Sequence, residues 1–142
     1  MARVQQITGQ RELFHVGERQ TVADVARRMA ELRVGAILVL EEGVLRGIFS
    51  ERDLMHRVVL ERRNPETTVV RDVMSTSVVS IDEQASIEEA MEAMQANNCR
   101  HLPVTRASQV VAFLSMRDLM NFELASKTEE LSHMRAYIHG TP

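Results

Sequence analysis

The chain has 142 residues and a formal net charge of −3 at pH 7, and 44% of its residues are hydrophobic. This length allows one domain or two very small ones. No apolar run reaches the roughly 18 residues of a membrane span, the first six residues lack the apolar core of a secretory signal, and mild acidity gives no general attraction to nucleic acid. The single cysteine, Cys99, excludes a disulfide framework within the chain. We therefore expect a cytoplasmic globular protein without membrane or nucleic acid partners.

The first part of the chain predicts five elements. Apolar residues recur at helical spacing after Thr21, which can cap that helix, and Gly35 is expected to end it. Two apolar runs on either side of an acidic-glycine turn predict a β-hairpin, and Ser50 begins the next helix. In chain order we expect a short strand near residues 15–16, a helix over 22–32, strands over 36–40 and 44–49, and a helix over 51–60.

The second part of the chain repeats this order of elements. Residues 21–55 align with residues 86–120 at a constant offset of 65 without a gap. This agreement predicts a tandem duplication. The residues identical to their counterparts are Met29, Val39, Ser50, Arg52, Asp53, Leu54 and Met55. The second copy predicts a short strand over 78–80, a helix over 86–98, strands over 101–105 and 109–114, and a helix over 116–126. The expected fold class is mixed α/β (α+β), with β-α-β-β-α domains at 8–64 and 70–126 separated near Pro65.

The end of the chain carries a further apolar pattern. Leu124, Leu131 and Ile138 stand seven residues apart, with Met134 between the last two. This spacing predicts a C-terminal amphipathic helix over residues 127–139. Its apolar face either packs on its own chain or meets a partner helix in a dimer, and the pattern does not choose between them.

A serine–x–arginine–aspartate turn joins the last strand of each copy to the following helix. It consists of Ser50, Arg52 and Asp53 in the first copy and of Ser115, Arg117 and Asp118 in the second. In a structural interpretation the serine caps the helix and the aspartate complements the helix dipole. The same geometry suits a ribonucleotide, because helix N–H groups, serine and arginine bind phosphate and a carboxylate accepts hydrogen bonds from a ribose diol. Both interpretations stay open at this point.

These motifs resemble a tandem pair of cystathionine-β-synthase (CBS) domains, a Bateman module, over roughly residues 8–125. The segments that carry the resemblance are Gly47–Leu54 (GIFSERDL), Val73–Ser75 (VMS), Arg100–Val104 (RHLPV) and Leu114–Leu119 (LSMRDL). The resemblance implies two units packed sheet to sheet with pseudo-twofold symmetry, clefts that bind AMP, ADP, ATP or NAD, and a homodimer of such pairs. One departure is Ala112, which stands where the first copy has Gly47.

The resemblance also implies residue roles. Ribose binding falls on Asp53 and Asp118, and phosphate binding on Ser50, Arg52, Ser115 and Arg117. The adenine pocket falls on Gly35, Ala36 and Ile37, on His101, Leu102 and Pro103, and on a wall formed by Thr76, Ser77 and Val78. No catalytic or metal-binding residue and no catalytic cofactor are expected.

The expected function is therefore a non-enzymatic sensor that binds an adenine nucleotide and signals to an effector protein by conformational change. Two alternatives remain. One is a constitutive interaction or assembly module whose clefts are vestigial. The other is an enzyme that acts on a nucleotide, which the motifs disfavour because neither turn has a companion general base.

Overall fold

Two three-stranded sheets organise residues 1–138, the part of the chain that this computed structural model describes. In each sheet the central strand pairs in parallel with the short first strand and antiparallel with the last one. The first sheet comprises β1 (His15–Val16), β2 (Ala36–Glu41) and β3 (Val44–Ser50), and the second comprises β4 (Ile81–Asp82), β5 (His101–Arg106) and β6 (Gln109–Ser115).

Helices alternate with these strands in the predicted order, which confirms the mixed α+β class and the repeated β-α-β-β-α unit. The helices are α1 (Gln5–Thr8), α2 (Val22–Leu32), α3 (Glu51–Asp53), α4 (Ile87–Ala96) and α5 (Met116–Ile138). A π-helix (Leu54–Val59) continues α3, and a 3-10 helix (Val70–Asp72) precedes the second unit. Thr21 and Ser86 cap α2 and α4 by accepting from the N–H of Asp24 and Glu89, because first-turn N–H groups have no partner within the helix.

The structure differs from the sequence predictions at three places. The strand expected over 78–80 lies at Ile81–Asp82, where its pairing with Val104 and Thr105 places it. Gly35 does not end α2, because Arg33 adopts the left-handed conformation at φ 57° and its N–H returns to the last turn of the helix. The predicted C-terminal helix is present, but it continues the helix predicted over 116–126 without a break as α5, which reaches Ile138, and residue 139 lies outside the described part.

Each unit completes its core with a segment that precedes the other unit. Val4, on the N-terminal side of α1, is fully buried in the core of the second unit, and Val70 is fully buried in the core of the first. The contacts are equivalent: the N–H of Val4 donates to Ala85 O at 2.9 Å and that of Val70 to Gln20 O at 2.8 Å. This exchange interlocks two units that would each bury little surface alone.

The central strand of the first unit is buried on both faces. Ile37 and Val39 belong to the cluster beneath α2, whereas Ala36, Leu38 and Leu40 are buried outside that cluster. This second face lies toward the other sheet, and β3 contacts β6 across the boundary. The predicted sheet-to-sheet packing about a pseudo-twofold axis is therefore the arrangement observed.

Candidate functional site

A groove of about 1380 Å³ lies between the two units. Antiparallel pairing brings the start of one strand beside the end of the next: Ala36 pairs with Ser50 and His101 pairs with Ser115. The turns that carry the serine–x–arginine–aspartate motif therefore lie at the same sheet edges as the predicted adenine-binding residues. Of the residues predicted for the site, the groove is lined by Gly35, Ala36, Ile37, His101, Ser115, Arg117 and Asp118.

The other predicted residues do not line this groove. Leu102 is fully buried in the core of the second unit and Pro103 is buried beside it, because β5 is covered on both faces. Arg52 is exposed outside the groove. The remaining residues outside its lining are Ser50, Asp53, Thr76, Ser77 and Val78.

Ser75, which directly precedes the wall predicted at residues 76–78, pairs with the first unit. The backbone of Ser75 pairs with Ile48 of β3 through two hydrogen bonds of 2.9 Å. A Cβ on Gly47 would lie 2.6 Å from Ser75 O, so this close approach requires glycine. Ala112 occupies the equivalent position of the second unit. The glycine-to-alanine difference is a sequence signal that the two turns have unlike surroundings.

Asp53 is buried and accepts three structural hydrogen bonds, and 10% of its side chain is exposed. Its Oδ2 accepts from the N–H and the hydroxyl of Ser50 at 3.0 and 3.1 Å. Its Oδ1 accepts from the Ser75 hydroxyl at 3.0 Å and lies 3.8 Å from Arg57 Nε. The capping interpretation of the motif therefore describes Asp53.

Asp118 has the same capping geometry but a different surrounding. Its Oδ2 accepts from the Ser115 N–H at 2.8 Å, and the Ser115 hydroxyl accepts from the Asp118 N–H at 3.1 Å. Arg11 donates to both carboxylate oxygens, from Nη1 to Oδ2 at 2.8 Å and from Nη2 to Oδ1 at 3.0 Å. The Asp118 side chain keeps 18% of its surface exposed in the groove.

These contacts set the charge state of Asp118. Burial, the largest single effect, acts to raise the pKa of this carboxyl, but the hydrogen bonds from Arg11 and Ser115 together outweigh it and hold the pKa below 3.8. Asp118 is therefore a carboxylate at neutral pH. Sequence reasoning missed Arg11, because it lies 107 positions away and outside every matched motif.

Basic residues surround the groove beyond this pair. Arg33, Arg100 and Arg117 also line it, opposed by Glu12 and Glu51. This balance favours an anionic ligand near the start of α5.

His101 supplies a flat and mostly uncharged surface in the same groove. Its ring stacks on Phe113 with centroids 5.2 Å apart and an interplanar angle of 28°. Burial lowers the pKa of His101 below its ordinary value of 6.5, and Arg100 lowers it further, against the opposing effects of Asp118 and Glu51. A neutral imidazole backed by an aromatic ring can pack against a heterocyclic base.

Two further properties concern the described residues. Within residues 1–138, no group of three His, Cys, Asp or Glu side chains is placed to hold a metal ion. No helix in the same range is both long enough and apolar enough to cross a membrane.

Comparison with known proteins agrees with this architecture. The chain is 30% identical over 125 residues to the mitochondrial CBS domain-containing protein CBSX3 of Arabidopsis thaliana, covering 84% of this chain and 61% of that protein. It is 33% identical over 113 residues to the CBS domain-containing protein YhcV of Bacillus subtilis, covering 80% of each. The chain thus spans only about three fifths of the plant relative.

A solved structure shows the same fold. It is a protein with CBS domains from Burkholderia ambifaria MC40-6, which superposes with a TM-score of 0.83 at 30% identity and covers 87% of this chain and 95% of that one. The family model described as the CBS domain matches residues 4–60 and again residues 70–125. With two consecutive matches and the architecture that they share, this chain belongs to the CBS domain family as a tandem pair of its regulatory domains.

Proposed function

We propose that this module binds one adenine nucleotide in the groove beside Asp118 and signals the bound state to an effector protein by a change of conformation. The observation that carries the proposal is the contrast between the two motif aspartates. Asp118 faces a groove lined by both units, whereas Asp53 is buried beneath Ser75. A carboxylate must be reachable to accept hydrogen bonds from a ribose diol.

The surrounding residues match the parts of such a ligand. The ribose would bind Asp118, and the phosphates of the ligand would lie near the Arg117 side chain. The base would pack near the His101 ring and the turn at Gly35 and Ala36 on the opposite side of the groove. A ligand placed in this way contacts both units at once.

Such bridging provides a route from binding to signalling. A ligand shifts a conformational equilibrium only by its differential affinity for the two states. Because α2 and β2 line one side of the groove and α5 the other, the arrangement of the two units sets how well a ligand fits. We propose that binding selects one such arrangement, and we assign no catalytic step to the groove.

Exposed apolar residues on α5 and on the π-helix after α3 support a homodimer. Met55 and Met120 are equivalent through the duplication, as are Val59 and Leu124, and all four are exposed. Equivalent patches related by an internal pseudo-twofold axis suit a symmetric interface with a second copy. The stripe continues along α5 through Leu131 and Met134, which are also exposed.

The proposal is tested by calorimetry with ADP on the wild type and on Asp118→Asn, which keeps the shape of the side chain. We expect one ADP per chain for the wild type and a loss of affinity of at least tenfold for D118N. Asp53→Asn serves as the matched control at the equivalent turn and should keep its affinity for ADP within threefold. Mass spectrometry of small molecules released from denatured wild-type protein identifies the bound species.

Two results would contradict the proposal. Binding of two ADP molecules per chain, with one lost in D53N, would place a ligand at the buried aspartate. Absence of ADP, ATP, AMP and NAD binding would favour an assembly module with vestigial clefts.

A further inference from the structure

The guanidinium of Arg11 occupies the carboxylate that the proposed ligand needs. Arg11 takes one position on each oxygen of Asp118, at 2.8 and 3.0 Å, and the Ser115 N–H takes another on Oδ2. A carboxylate offers about four lone-pair sites. A ribose diol that binds both oxygens therefore competes with Arg11.

Arg11 is placed so that it can leave. Its side chain is 40% exposed, and it stands in the irregular connection between α1 and β1. Ion pairs with this much exposure are weak, because water screens the charges and the long side chain loses freedom. Ser75, which bonds to Asp53 as Arg11 bonds to Asp118, is less free to move. Its backbone pairs with β3, and its short side chain cannot swing away as an arginine can.

A displaced Arg11 has a new partner only if the ligand carries phosphate. Arg11 lines the same groove as Arg117, and a guanidinium binds phosphate through two parallel hydrogen bonds. With adenosine the Arg11–Asp118 pair would be broken and nothing would replace it on the arginine. With ADP the arginine would exchange a carboxylate for a phosphate.

From this geometry, and on the basis of the proposed function, we infer that Arg11 is a specificity-determining latch. It competes with the ribose for Asp118 and moves to the ligand's phosphate on binding, so the groove rejects unphosphorylated nucleosides. The residue acts against adenosine and in favour of ADP, which distinguishes it from a residue that only stabilises the fold.

The experiment measures the Kd of adenosine and of ADP by calorimetry for the wild type, Arg11→Ala and Arg11→Lys. For R11A we expect adenosine to bind three- to tenfold more tightly, ADP to bind more weakly, and the ratio of the two Kd values to fall at least tenfold. R11K keeps the charge but not the two-pronged geometry, so its ratio should lie between those of the other two proteins.

Arg106→Ala is the matched control. Arg106 makes a comparable two-pronged pair with Glu83, at 2.6 and 3.1 Å, but does not line the groove. Its removal should leave both Kd values within twofold of the wild type. Circular dichroism establishes that each variant is folded. If R11A does not fold, R11K provides the test. The ratio of the adenosine Kd to the ADP Kd must then be at least threefold lower in R11K than in the wild type.

The outcomes separate the two proposals. If R11A leaves the ratio unchanged, or weakens both ligands equally, the latch is refuted while ADP binding by the wild type keeps the proposed function. If the wild type binds neither ligand and R11A binds neither, both proposals are refuted.

Discussion

The Ser75 hydroxyl donates a 3.0 Å hydrogen bond to Oδ1 of Asp53, across 22 positions of sequence and from the segment that leads into the other unit. This bond helps to bury the Asp53 carboxylate, whereas the carboxylate of the equivalent residue, Asp118, faces a groove. It therefore links the exchange of segments between the units to the difference between their two aspartates.

Ser75→Ala leaves Asp53 with one fewer donor in a buried setting. We expect this variant to lose about 1 to 2 kcal/mol of unfolding free energy, the usual cost of an unmade hydrogen bond to a buried group. Urea denaturation followed by circular dichroism measures the change. Ser77→Ala, at an exposed position two residues on, is the control and should stay within about 0.5 kcal/mol of the wild type. Equal stabilities for S75A and S77A would contradict the role given to this bond.

Gly47→Ala tests the close approach on which that bond depends. The added Cβ would lie 2.6 Å from Ser75 O and 2.8 Å from Met74 Sδ. We expect a loss of about 1 to 3 kcal/mol from overpacking, measured by urea denaturation. Gly17→Ala is the control, because its nearest neighbour would be the Glu41 carboxylate at 3.8 Å. A G47A protein as stable as the wild type would mean that Ser75 can move away from β3.

Local chemistry explains why so much of the fold could be predicted. Helix caps and hairpins depend on neighbours a few residues apart, so Thr21, Ser50 and Ser86 could be assigned before any coordinates were known. The second hairpin forms a two-residue turn with both φ angles positive, at Ala107 (49°) and Ser108 (68°), although neither residue is glycine. Pairing of β5 with β6 overrides the local preference there.

The candidate site was less predictable, because its character depends on distant residues. The two turns share serine, arginine and aspartate and differ only at the second position, Glu51 or Met116, which does not account for the different surroundings of Asp53 and Asp118. Ser75 and Arg11 make that difference, and both come from segments that the exchange between units delivers. The burial of Leu102 could not be predicted for a related reason: burial of β5 on both faces follows from packing between units rather than from its own sequence.

His101 predicts a loss of stability in mild acid. Its pKa is lowered mainly by burial, so the unfolded chain binds a proton on this ring more readily than the folded one. Stability should therefore fall as pH decreases from about 6.5 through the lowered pKa, and be unaffected by this group above that window. Thermal unfolding at pH 7.5 and 5.5 measures the change. The difference in unfolding temperature between the two pH values should shrink in His101→Gln. It should persist in His133→Gln, because His133 is exposed on α5. An unchanged difference in H101Q would exclude this residue as the cause.

Asp118 predicts a second loss of stability, which occurs at lower pH. It has the same direction as the loss from His101 but another cause. The pKa of Asp118 is held below 3.8 once the bonds from Arg11 and Ser115 outweigh burial. The stability that this gives is complete above the ordinary pKa and disappears as pH falls through the folded value. Arg11→Ala should therefore unfold with a smaller dependence on pH between 5 and 2 than the wild type, as followed by circular dichroism. A steeper dependence in R11A would contradict the ion pair as the cause.

The exposed stripe on α5 predicts the oligomeric state. Met120 and Leu124 repeat the exposed Met55 and Val59 at equivalent positions, and burying four such side chains against a second copy removes apolar surface from water. Leu124→Glu would place a charge in that contact, and we expect the dimer to dissociate at least tenfold more readily, because an unpaired charge at an interface is costly. Sedimentation equilibrium over a range of concentrations measures the change. Glu129→Lys, on another face of the same helix, alters charge without touching the stripe and should leave the dimer intact. A monomeric wild type, or equal dissociation of L124E and E129K, would exclude this face as the dimer interface.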